Sequence, residues 1–122
     1  MMMGDREIPA EIQNRIIQYK QIEQQLQILL QQKFQFELQV KEIEQALEAL
    51  KDIKEDAPIY KSVGALLIRA NNKTEIIDEL NNAKESITLK LSSIKKQEEK
   101  LKEKYESLQK QLTEELRELQ KA

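Results

Sequence analysis

A seven-residue apolar repeat runs through two long segments of this chain, Ile12 to Leu50 and Ile77 to Leu119, and is interrupted only between them. In the first segment Ile12, Tyr19, Leu26, Lys33, Val40 and Leu47 recur at one heptad position. Arg15, Ile22, Leu29, Phe36, Ile43 and Leu50 follow each of them by three residues. The second segment places Ile77, Lys84, Leu91, Glu98, Tyr105, Leu112 and Leu119 at position a, and Leu80, Ile87, Ile94, Leu101, Leu108 and Glu115 at position d. An a/d stripe buries itself by packing on a second stripe of the same kind. Two such segments on one chain predict a mainly α fold, a long antiparallel two-helix coiled coil with a single β-hairpin at the turn.

Composition supports burial along a seam rather than in a compact core. The chain is 34% charged and 4% aromatic, which leaves little material for a globular interior. With a rise of about 1.5 Å per residue, a helix of this length extends on the order of 60 Å, so a rod is expected. Acidic and basic residues alternate along both segments and nearly cancel, with a formal net charge of -2. The balance points to neither nucleic acid nor membrane as a partner. No cysteine is present, and no basic stretch leads into an apolar one, so the expected location is cytoplasmic.

The expected organisation is a single domain: a mobile N-terminus over 1–8, helix one over 9–53, a β-hairpin insert over 57–71 and helix two over 72–120. Pro9 suits the first position of a helix, where its missing N–H is no loss. Pro58 excludes helical geometry before it and closes the first helix region. Ile59–Val63 and Ala65–Ala70 read as two short strands around Gly64. Their apolar residues cover both faces, which implies burial from both sides. An isolated two-stranded hairpin has two open edges and is marginal in water, so pairing with hairpins of other subunits is expected. Asn72 and Glu75 have the spacing of a capping box at the start of helix two. Lys33 and Glu98 are charges at positions otherwise apolar, and the expectation is that they fix the register of the two helices. The competing reading is that each side chain reaches out to water.

The residues exclude most chemistry. Neither histidine nor cysteine is present, which removes their catalysis and the usual zinc sites. Gly4 and Gly64 are the only glycines, so no phosphate-cradling loop and no dinucleotide fingerprint exist. The carboxylates sit on convex helix surfaces. The reading is that the chain is not an enzyme and uses no cofactor. What the seam does not absorb is a set of apolar residues near the helix ends: Ile8, Ile16 and Ile17 at one, Leu116 at the other, with Met1, Met2 and Met3 beside them. Unburied apolar surface at a fixed place marks interaction, and methionines adapt to partners of varied shape. The competing reading is frayed ends whose apolar side chains pack on one another.

The stretch DAPIYKSVGALLIRANNKTEIIDEL, from Asp56 to Leu80, closely resembles the corresponding part of the beta-type, archaeal-like subunits of prefoldin. The Ile-Pro start, the glutamine-rich first helix, Ile59-Tyr60-Lys61-Ser62 with Gly64, and Lys96-Gln97-Glu98 extend the resemblance over nearly the whole chain. Alpha-type subunits have a longer insert with two hairpins. The resemblance implies a hexamer of two alpha-type and four beta-type subunits whose hairpins form a β-barrel platform. It implies an ATP-independent chaperone that holds non-native polypeptides at the coil tips and delivers them to a group II chaperonin. On that basis Met1, Met2, Met3, Ile8, Ile12, Ile16, Ile17, Leu112, Leu116 and Leu119 are expected to hold clients. Ile59, Tyr60, Val63, Gly64, Leu66, Leu67 and Ile68 are expected to carry assembly. The alternatives are a structural homo-oligomeric coiled coil, which leaves the apolar hairpin unexplained, and an adaptor that binds one specific partner.

Overall fold

In the computed structural model, which describes residues 8–121, the order is α1 (Ala10–Leu50), β1 (Tyr60–Val63), β2 (Leu66–Arg69) and α2 (Lys73–Lys121). The fold is mainly α, two long helices that pack together with one antiparallel hairpin between them in sequence. The expected N-terminal lead-in falls outside the described residues, except for Ile8. Of the described chain, residues 8–32 with 94–121 form one compact unit and 33–93 a second.

The heptad positions explain the burial pattern. Each a and d residue of both repeats is buried or half-buried, and nearly every other helical position is exposed. In the first unit the most enclosed are Ile12, Leu29, Ile94 and Leu112. In the second they are Leu50 and Ile76. Fully burying an aliphatic side chain of this size contributes roughly 1.5–3 kcal/mol, so the seam supplies the main favourable term available to each unit. Ile76 lies just outside the repeat, at the end of α2 nearest the hairpin in sequence.

Local chemistry sets the helix ends. Pro9 precedes the helix instead of opening it: its carbonyl accepts from Gln13 N–H at 3.0 Å, and helical geometry starts at Ala10. α1 stops at Leu50, where the apolar repeat runs out, and 51–58 continue as turns held by Ile53 N–H to Leu50 O and Ala57 N–H to Lys54 O. α2 opens on the cap anticipated at Asn72, whose side-chain oxygen accepts from Glu75 N–H at 2.8 Å. Thr88 and Thr113 return their hydroxyls to the carbonyls four residues back, which satisfies them within the helix.

The hairpin pairs Tyr60 with Arg69, Lys61 with Ile68, Ser62 with Leu67 and Val63 with Leu66. Gly64 and Ala65 form its turn. Gly64 has φ of 60° and is the only described residue with positive φ, which matches a type II′ connection with glycine first. A Cβ at Gly64 meets nothing within 4 Å, so the constraint there is conformational rather than steric crowding. Gly64→Ala is therefore expected to cost the hairpin about 1–2 kcal/mol through left-handed strain alone. The cost should appear as weaker hairpin-dependent assembly with helical circular dichroism unchanged; assembly equal to wild type would mean that the turn tolerates the substitution.

Candidate functional site

Two groups of apolar side chains outside the seam lie where the sequence placed candidate surfaces, and the elements that carry them explain their exposure. The first is the hairpin. Directly paired residues share a face of a sheet, so Tyr60, Ser62, Leu67 and Arg69 lie on one side and Lys61, Val63, Leu66 and Ile68 on the other. Both faces are apolar and both are open to water within the single chain. Leu67 is 74% exposed and Leu66 65% exposed, with Tyr60, Val63 and Ile68 also exposed. The burial from both sides expected of these residues is not supplied by this chain. With two strands among the described residues, each keeps one edge whose backbone groups have no ladder partner there.

The hairpin is tied down at its base. Lys61 Nζ lies 3.3 Å from the Glu79 carboxylate of α2, and Lys73 Nζ donates to Ile53 O at 2.8 Å across the start of α2. Ala70 N–H donates to Ile59 O at 2.8 Å, which extends the pairing beyond the strands. Ile59 itself is half-buried, and with Tyr60 it borders a cleft of about 350 Å³ whose far wall is Ala46, Leu50, Ile76 and Leu80.

The second group belongs to the first unit, around the start of α1 and the end of α2. Ile17 is 53% exposed, and Ile8 and Leu116 are exposed as well. Ile16 and Leu119 are half-buried. Ile12 and Leu112 are each only 7% exposed and belong to the seam. Met1, Met2 and Met3 lie outside the described residues. Beside these side chains the seam turns polar. The Arg15 guanidinium donates to the Glu115 carboxylate and lies 3.9 Å from Glu11. Tyr19 and Tyr105 stack with ring centroids 4.5 Å apart and planes 19° from parallel, and the Tyr19 hydroxyl donates to that of Tyr105 at 2.7 Å. That hydrogen bond, with burial adding to it, pushes the Tyr19 hydroxyl up to about 12.

Of the two charges expected to set register, Glu98 is buried in the first unit with Lys102 Nζ 3.7 Å from its carboxylate, one turn along α2. Lys33 is half-buried in the second unit. Exposed apolar residues also lie away from the helix ends: Ile28, Leu30, Phe34 and Leu38 on α1 and Leu89 on α2. Their signal was present, since each is apolar yet falls off the a/d positions. Among the described residues no cluster of acidic side chains could hold a metal ion, and no helix is long and apolar enough to cross a membrane.

Comparison with known proteins gives a consistent picture. A family model described as a prefoldin subunit matches residues 13–119. The chain is 42% identical over 106 residues to prefoldin subunit beta of Methanosarcina acetivorans, spanning 87% of this chain and 90% of that protein. Against prefoldin subunit beta of Archaeoglobus fulgidus it is 37% identical over 106 residues with the same coverage. The crystal structure of the prefoldin beta subunit from Thermococcus strain KS-1 superposes with a TM-score of 0.80 at 33% identity, across 92% of this chain and 97% of that one.

The tyrosine pair gives a direct spectroscopic test of the packing at the helix ends. Because folding raises Tyr19 from 10.0 to about 12, the folded state holds a proton that the unfolded state releases. The pair's contribution is therefore complete below pH 10 and is lost between pH 10 and 12. Tyrosinate absorbance of the wild type should show one ionisation near pH 12, which Tyr105→Phe moves down toward 10. An unchanged titration in that variant would mean that the two hydroxyls are not bonded in solution.

Proposed function

The chain belongs to the prefoldin family, among its beta-type subunits, and we propose that it captures non-native polypeptides at its helix ends, without ATP, for transfer to a group II chaperonin. Prefoldins are chaperones that carry out no catalysis, and the residues here agree with that role: the chain has no histidine, no cysteine and no glycine-rich phosphate loop. The working form in this reading is a cytoplasmic hexamer of two alpha-type and four beta-type chains.

The observation that carries the reading is the hairpin, with Leu66 and Leu67 largely in water on opposite faces of a sheet whose edges are open. Such a surface favours association with further hairpins, which bury the apolar side chains and complete the backbone ladder together. Assembly of several chains multiplies whatever each one binds weakly. Ile8, Ile17 and Leu116 provide small exposed apolar patches that suit this kind of capture, because apolar contact is non-directional and tolerates many client sequences. Several weak sites on one assembly then act by avidity.

Two measurements test the two surfaces separately. Native mass spectrometry of the chain mixed with an alpha-type subunit should give the two-plus-four hexamer, and Leu67→Glu should abolish it while helical content stays unchanged. A hexamer that survives the charge would take Leu67 out of the assembly surface. Ile17→Ser combined with Leu116→Ser should assemble normally yet require on the order of thirtyfold more protein to suppress aggregation of a chemically unfolded client, since losing two partly exposed aliphatic contacts of roughly 1 kcal/mol each corresponds to that change. Unchanged suppression would move the client surface elsewhere.

A further inference from the structure

Three tyrosines occur in this chain, with no cysteine and no tryptophan. Phenols are therefore the side chains that surrender a single electron most readily. Two of the three are held against each other within the first unit: the Tyr19 and Tyr105 rings stack with centroids 4.5 Å apart, planes 19° from parallel and hydroxyls 2.7 Å apart. Because the oxygens are nearer to each other than the ring centres are, the rings converge toward their hydroxyl-bearing edges. The carbons ortho to the two hydroxyls thus approach more closely than the centres do. Both side chains are half-buried, so a small oxidant reaches them from water while the seam holds the rings in place. Tyr60 differs: it is 58% exposed, and the residue opposite it in the hairpin is Arg69.

We infer that Tyr19 and Tyr105 form an oxidative cross-linking site, at which two successive one-electron oxidations join α1 to α2 through a dityrosine bond. The co-reactant is a diffusible one-electron oxidant, such as a peroxide-derived radical, that accepts one electron in each of two encounters. Each oxidation takes an electron from one phenol and releases its proton to water, leaving a radical shared between the oxygen and the ortho carbons. The two radicals pair their electrons in a new bond between ortho carbons. The hydrogens displaced there return to the oxygens and restore both phenols, so two electrons and two protons leave in all. Holding the partners in contact makes this coupling intramolecular, whereas a radical on Tyr60 must meet a second one on another chain. The product closes the chain from 19 to 105 into a loop. It restricts the unfolded state as a disulfide across the same span does, so the oxidised chain resists unfolding.

The test oxidises the full chain, assembled with an alpha-type subunit, using light, ruthenium tris-bipyridyl and persulfate until at least one tyrosine per chain has reacted. Mass spectrometry of the digest should find the peptides of Tyr19 and Tyr105 joined with the loss of two hydrogens. Their yield should be independent of protein concentration, and this chain should keep the gel mobility of a monomer. Tyr60→Phe should leave the product unchanged, and Tyr105→Phe should abolish it. The guanidinium midpoint of the cross-linked chain should exceed that of Tyr105→Phe treated identically by on the order of 1 M. Coupling found only through Tyr60, or Tyr19 and Tyr105 oxidised without being joined, would overturn the site. A joined chain that unfolds no later than the treated variant would overturn its stabilising effect.

Discussion

The seam between α1 and α2 is the contact on which the other features depend. A pair of helices has one buried line and no second layer, so its capacity is limited to the a and d positions. Those positions are filled along both repeats, from Ile12 to Leu50 and from Ile77 to Leu119, and each is at least half-buried. Most apolar residues placed elsewhere on these helices stay in water, among them Ile17, Phe34 and Leu89, with Ile76 at the start of α2 an exception. The hairpin has no helix face left to cover it beyond the contacts at its base. Exposed apolar surface is thus built into the architecture, and the chain's behaviour is governed by what covers that surface.

Hairpin and helix ends answer that need in different ways. A sheet edge presents directional backbone donors and acceptors, and with apolar residues on both faces it selects for partners of the same kind in a fixed register. The hairpin is held in place by the Lys61–Glu79 ion pair and by Lys73 on the Ile53 carbonyl. At the helix ends no strand edge is open; apart from the few terminal N–H and C=O groups, the backbone is paired within each helix. The apolar surface exposed there is side-chain hydrocarbon, which binds without regard to sequence. In the proposed function, specific assembly and unspecific holding follow from the secondary structure that carries each patch.

Much of this was legible in the sequence because it depends on period and on local turn chemistry. The heptads gave the seam residue by residue, Asn72 gave the start of α2, and Gly64 marked the hairpin turn. Less visible was anything that depends on which side chain meets which across the seam. Tyr19 and Tyr105, or Arg15 and Glu115, read as ordinary heptad positions until the two helices are set beside each other. The first residue of α1 shifted from Pro9 to Ala10 for a smaller reason: proline's carbonyl can accept the first helical hydrogen bond while its own geometry stays outside the helix. The exposure of Ile28, Leu30, Phe34, Leu38 and Leu89 is readable from the heptad frame, since all five fall off the a and d positions.

The central claim is that one short chain carries two uncovered apolar surfaces with separate uses, the hairpin for other subunits and the helix ends for unfolded polypeptides. Photo-cross-linking tests it most directly, with a photoreactive residue placed in turn at Ile17 and at Leu67 of the chain assembled with an alpha-type subunit, in the presence of a chemically unfolded protein and no nucleotide. The account predicts client adducts from position 17 and subunit–subunit adducts from position 67. Client adducts chiefly from position 67, or subunit adducts chiefly from position 17, would contradict it.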